Sequence, residues 1–184
     1  MRWHVAASDV EEPDRLTFPL ASTITAIRKL LMSLFQHRFT VQASLEEVAA
    51  FHESPEAFRR LVPPGMFLQV HRQDDLANQS VNEFTMWMGP IPVYWKAVHS
   101  DVTETGFVDT QADGPMRSWV HRHRYERTDD DQTLVIDHIE YEHHSGWRGI
   151  RSRLLFTPFG LKLLFTWRKW ATRRTVAAMS ANRN

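Results

Sequence analysis

Two periods divide this sequence. Between Met66 and His143 apolar and polar positions alternate in short runs, the spacing of half-buried strands. Toward both ends the apolar positions recur every three or four residues, as on one face of a helix. The alternating runs are Met66–Arg72, Val81–Met88, Pro92–Val102, Gly106–Ala112, Arg117–Arg127 and Thr133–His143. Turn-forming clusters separate them: Asp74-Asp75 with Asn78, Gly89-Pro90, Glu104 to Gly106, Asp113 to Pro115, and Asp129 to Asp131. Connections this short predict antiparallel hairpins, because a parallel crossover needs a dozen or more residues.

Outside the alternating stretch, helix signals dominate. A first strand is expected over Arg38–Ala43, with Phe39 and Val41 on one face. Ser44 and Glu47 then form a capping box that starts a short helix to about His52. Ser54-Pro55 supplies an N-cap and a first-turn proline for a second short helix, which Pro63-Pro64-Gly65 follows. Thr157-Pro158 opens a long helix to about Met179 in the same way. Its stripe of Leu163, Leu164, Trp167, Trp170 and Ala171 is expected to face the sheet, with Lys162, Lys169 and Arg173 turned away. At the N-terminus, Ile24, Ile27, Leu30, Leu31, Leu34 and Phe35 predict an amphipathic helix over about 22–36. Residues 1–36 therefore read as an extension, Met32 as an alternative start, and 37–184 as the domain proper.

Composition narrows the function classes. The 184 residues carry no net charge, which gives no general signal for nucleic acid. The distribution is uneven: no Asp or Glu follows Glu142, whereas nine Lys and Arg do. Opposed halves of this kind attract each other within one fold, or present a basic face to anionic lipid. Without cysteine there are no disulfides, thiol nucleophiles or cysteine-based metal sites, as expected of a cytoplasmic protein. No apolar run reaches the length of a membrane span, and the first residues have no signal-peptide pattern.

The most informative stretch is Trp119 to Tyr125. Side chains alternate faces along a strand, so Trp119, His121, His123 and Tyr125 share one face while Arg122 and Arg124 share the other. The charged face is the solvent face. An inward row that is aromatic at its ends and polar at its centre predicts a lined cavity, because buried imidazoles need partners. The same alternation turns Val93, Trp95, Ala97 and His99 inward on one strand, Phe107, Asp109 and Gln111 on another, and Val135, Asp137, Ile139 and Tyr141 on a third. That leaves His138, Glu140 and Glu142 outside. If the strands pair in order, His121 and His123 fall between Asp109 and Gln111 on one side and Asp137 on the other. Such a patch braces the sheet, orients a ligand, or transfers protons with a histidine paired to an aspartate. His121 and His123 with Asp137 or His99 could converge on a metal ion, but no spacing is diagnostic, and no metal or other cofactor is expected.

The element order resembles the START-like (SRPBCC) helix-grip superfamily of polyketide cyclases/dehydrases and lipid-transport proteins, in a bacterial branch. The residues carrying the resemblance are Phe39 to Val48, Phe107 to Gln111, Gly114 to His123, Thr133 to Asp137, and Glu140-Tyr141. They span roughly His37 to Arg174. The resemblance implies an α+β fold in which a curved antiparallel sheet of six to seven strands wraps a long C-terminal helix around an apolar cavity. It also implies a hydrophobic small molecule or lipid as ligand, bound by a carrier or sensor. The expected walls are Phe84, Met86, Met88, Trp95, Phe107, Trp119 and Trp167, with His99, Asp109, Gln111, His121, His123, Tyr125 and Asp137 as polar lining. The enzymatic alternative is an aromatase, cyclase or dehydratase of polyketide type using His121, His123 and Asp137 as catalytic residues. Nucleic acid is not an expected partner, because Arg122 and Arg124 lie among acidic residues. The apolar face of Ile24–Phe35 is expected to pack on the domain or on a second copy of the chain, making a homodimer, in preference to peripheral contact with a membrane.

Overall fold

The computed structural model of the protein describes residues 32–128 and 132–181. The described residues open with β1 (Ser33–Val41) and two short helices, α1 (Leu45–Glu53) and α2 (Pro55–Arg60). Six strands follow: β2 (Met66–Gln73), β3 (Val81–Met88), β4 (Ile91–Thr103), β5 (Gly106–Asp113), β6 (Ser118–Arg127) and β7 (Thr133–Glu142). Two helices complete the described residues, α3 (Arg148–Leu155) and α4 (Pro158–Ala181). The polar caps act as the sequence predicts. Ser44 Oγ accepts from Glu47 N while the Glu47 carboxylate accepts from Ser44 N. Ser54 Oγ accepts from Ala57 N, and Thr157 Oγ1 from Gly160 N.

All seven strands join one antiparallel sheet in the order β1-β7-β6-β5-β4-β3-β2. The hairpins therefore pair in sequence, and β1 returns to the far edge beside β7. This is the expected curved α+β arrangement, with α4 against the sheet; Arg173 Nε donates to Thr40 O of edge strand β1.

Three local expectations need correction, and one helix was not expected. Ser33–Gln36, expected as the end of an N-terminal helix, belong to β1. The ladder to β7 runs from Ser33 opposite Tyr141 to Val41 opposite Thr133, and nine paired residues override the local helical spacing. Phe35 then shares inward parity with His37, Phe39 and Val41, while Leu34 is exposed. The rest of that expected helix, 22–31, lies outside the described residues, as does the Asp129 to Asp131 turn.

The segment between β7 and α4, to which the sequence analysis assigns no element, contains α3. It carries no buried apolar stripe to announce it: Trp147, Ile150 and Leu154 are all exposed. Next, α4 is rotated from its expected face. Leu161, Phe165, Ala171, Thr172 and Val176 are buried, whereas Leu163 and Trp170 are exposed. Thr172 and Arg168 lie on the inward face, so a stripe drawn through apolar residues alone is displaced toward Trp167 and Trp170. Finally, Glu142, expected outside, is buried by its ion pair with Arg117 at 2.9 Å.

The core has two apolar clusters. One joins α1 and α2 to Phe39, Val41, Tyr125, Val135 and Val176. The other gathers Trp95, Trp119, Ile139, Phe156, Leu161 and Phe165, among others. Along β7 the inward residues run Thr133, Val135, Asp137, Ile139, Tyr141, all of them buried. Asp137 thus falls between the clusters, and a polar belt crosses the interior at that level.

Candidate functional site

The belt is built by strand register. His121 on β6 lies opposite Asp109 on β5, and His123 lies opposite Asp137 on β7. Trp119, His121 and Tyr125 are buried, and the His123 side chain is 9% exposed. His121 Nε2 and Asp137 Oδ1 are 3.0 Å apart, and His123 Nδ1 is 3.4 Å from the same oxygen without a hydrogen bond. The two imidazole rings stand 3.8 Å apart, centre to centre.

Electrostatics fix the protonation pattern. Burial alone would raise the Asp137 carboxyl, but the His121 hydrogen bond and the nearby His123 hold it well below the usual carboxylate range. An ionised carboxylate only accepts, so His121 donates through Nε2–H and keeps its lone pair on Nδ1. Burial lowers the His121 pKa against the pull of Asp137, and lowers that of His123 to about 4 with help from His121.

Two helices complete the belt. From α1, His52 donates Nδ1–H to Val48 O at 2.8 Å, and its ring lies 5.2 Å from that of Tyr125. Burial lowers its pKa to about 4. From α4, Arg168 enters beside the cluster, with its guanidinium over the Phe165 ring at 5.0 Å. Burial lowers its pKa, while Asp137 and Asp109 act in the opposite direction.

Between sheet and α4 lies a two-lobed space. The inner lobe, about 90 Å³, has an apolar wall that includes Phe84, Met86, Trp95 and Trp119, with Phe58, Leu164 and Phe165 from the helices and Phe156 from the link between α3 and α4. His99, Asp109, His121, Asn82 and Arg168 are its polar lining. The outer lobe, about 100 Å³, borders His52, Phe107 and His123 and reaches the β2–β3 loop at Asp74 and Leu76. Phe58, Asn82, His99, Asp109 and Arg168 line both lobes and mark where they meet.

The expected residues therefore separate. Phe84, Met86, Trp95, His99, Asp109, Trp119 and His121 meet in the inner lobe, and Phe107 and His123 in the outer one. Asp137 stands behind the histidines as their shared partner. Four expected lining residues lie elsewhere. Gln111 braces the β5–β6 turn through both ends of its amide, to Met116 O and Met116 N. Tyr125 packs in the α1 cluster, Met88 packs against the second apolar cluster, and Trp167 lies with Trp170 and Arg60 along a separate groove. The sequence reading overlooked Arg168, Asn82 and His52. Each had a signal: Arg168 is one turn from Leu164, Asn82 shares strand parity with Phe84 and Met86, and His52 is one turn from Val48.

Asp109, His121 and His123 also bring one ligand atom each within 4.8 Å of one another, a convergence made by strand pairing and not by any diagnostic spacing in the chain. The cationic Arg168 in the same lining works against a metal cation there.

No family model matches the sequence, and no curated protein matches it significantly. Solved structures do. The ZhuI aromatase/cyclase from Streptomyces sp. R1128 superposes with a TM-score of 0.64 at 12% identity, covering 79% of this chain and 94% of that one. A protein of Thermus thermophilus gives 0.61 at 12% identity over 80% of this chain and 99% of that one. A point mutant of norcoclaurine synthase from Thalictrum flavum, in complex with a transition-state analogue, gives 0.60 at 14% identity over 81% and 96%. With its sequentially paired seven-stranded sheet, two short helices after the first strand and a long closing helix, this chain has the helix-grip fold that these structures share.

Proposed function

We propose that the protein binds a hydrophobic small molecule or lipid in the inner lobe. The observation that carries this reading is the lining: Phe84, Met86, Trp95, Trp119, Phe156 and Phe165 converge on one space that also receives His99, His121 and Arg168. Aromatic and methionine side chains supply adaptable apolar area, and a few fixed polar groups set orientation. Native mass spectrometry and organic extraction of the purified full-length chain test it. A co-purifying apolar compound, or saturable uptake of an added one, is the expected result. A protein that carries nothing and takes up no apolar probe would overturn the reading.

One observation favours a second reading, proton transfer on the bound molecule. His121 is poised as a base, with Nε2–H held by an ionised Asp137 and the Nδ1 lone pair free to accept. On this reading His121 is the base and Asp137 its orienting partner in a cyclase- or dehydratase-type reaction. A pH–rate profile on a candidate substrate, with His121→Ala and His123→Ala beside the wild type, decides the matter. Turnover unchanged in both variants removes the histidines from catalysis.

A further inference from the structure

Arg168 is a half-buried cation on the inward face of α4 that packing does not explain. Its Nε is buried without a hydrogen-bond partner, and among the described residues its guanidinium makes no ion pair. Asp109 and Asp137 act on it electrostatically without pairing with it, and its guanidinium lies over the Phe165 ring. A guanidinium nitrogen withdrawn from water without a partner is unfavourable. The same side chain borders both lobes, opposite the apolar wall that Trp95 and Trp119 help to form. A guanidinium is a planar fork of donors that cannot accept, so its complement is an acceptor oxygen.

We propose that Arg168 orients the ligand by donating to a carbonyl oxygen on an otherwise apolar molecule that fills the inner lobe and extends past the arginine into the outer one. This rests on the cavity-binding reading above and specifies the chemistry of the ligand. With Asp109 and Asp137 already acting on the arginine, a neutral carbonyl is better matched than a carboxylate, whose charge those two side chains oppose. Asn82 is a second polar group at the junction, and its buried Oδ1 has no partner. Its amide also carries N–H donors, so the substitutions at Arg168 are what separate the two groups.

Three probes of nearly equal shape test the idea by calorimetry on the full chain: 2-acetylnaphthalene, 2-isopropylnaphthalene and 2-naphthoate. The wild type binds the acetyl compound about tenfold more tightly than the isopropyl compound, as a hydrogen bond from a charged donor allows. It also prefers the acetyl compound to the naphthoate. Arg168→Met abolishes the preference while keeping affinity for the isopropyl probe; Arg168→Lys retains part of it. Equal wild-type affinities for the acetyl and isopropyl probes overturn the proposal without any variant, while leaving the cavity reading intact. A preference that survives in Arg168→Met, or in Arg168→Lys at full strength should the first variant not fold, assigns it to another group and overturns the proposal equally. Tighter binding of naphthoate overturns the choice of a neutral oxygen. Failure of all three probes to bind removes the cavity reading and this proposal together.

Discussion

His121 bonds to Asp137 across the β6–β7 ladder at 3.0 Å, although the residue directly opposite His121 is Ile139. Asp137 stands opposite His123 and reaches diagonally, so one carboxylate serves two adjacent imidazoles. The diagonal contact keeps His121 in the Nε2–H tautomer and turns its other nitrogen away from the carboxylate. Without Asp137 two neutral imidazoles would remain in contact with nothing to choose their tautomers.

Asp137→Asn should therefore lower stability by about 1–3 kcal/mol, because an amide accepts more weakly and brings donors that need partners. Asp137→Leu should lower it by about 3–5 kcal/mol, since it leaves the polar belt without its acceptor. Urea unfolding measures both. Imidazole nitrogen shifts should show the Nε2–H form of His121 in the wild type and a mixture in Asp137→Asn. An Asp137→Asn protein as stable as the wild type would show that the diagonal bond is structurally dispensable.

Stability should also depend on pH in a stated direction. His52 and His123 titrate near 6.5 in the unfolded chain and at about 4 in the folded one. Above pH 6.5 they are neutral in both states and contribute no slope. As pH falls from 6.5 to 4 the unfolded chain takes up protons that the folded chain refuses, so stability drops by a few kcal/mol. The lowered pKa of Asp137 works in the same direction, its contribution being lost only at more acidic pH. Replacing His52 by Gln should flatten the slope between pH 4 and 6.5. A slope unchanged in that variant would assign the effect elsewhere.

The inner lobe can be filled from the sheet. Ala97 is 3% exposed and borders it on β4, so Ala97→Leu should project side-chain volume into the space that a ligand would occupy. Uptake of 2-acetylnaphthalene should fall at least about tenfold, while overpacking changes stability by no more than about 1–3 kcal/mol. Undiminished binding in a folded Ala97→Leu protein would place the ligand outside this lobe.

Gly106 opens β5 at φ +142°, and a Cβ there would overlap the backbone carbonyl of His123. Gly106→Ala should thus displace β5 from β6 just where Phe107 faces His123, lowering stability by more than about 2 kcal/mol. Thermal melting checks it. A melting temperature within a degree or two of the wild type would mean that the close approach relaxes freely.

The sequence by itself determined what depends on neighbours along the chain. The inward sharing of Trp119, His121, His123 and Tyr125 follows from a two-residue period that any strand imposes, and the caps at Ser44, Ser54 and Thr157 act within four residues. Hairpin-length connections also made the order of pairing from β2 to β7 legible, and with it the meeting of Asp109, His121, His123 and Asp137. What remained hidden depends on partners distant in the chain. Whether Ser33–Gln36 coil or extend is decided by β7, more than a hundred residues away. Which face of α4 turns inward is decided by the sheet it covers, which accepts Arg168 and Thr172 and leaves Leu163 and Trp170 exposed. Hydrophobicity orders side chains by their preference for leaving water, and it cannot register a polar group enclosed for what it faces. The placement of Arg168 between the lobes was therefore fixed by tertiary structure, where helix and sheet close on the same space.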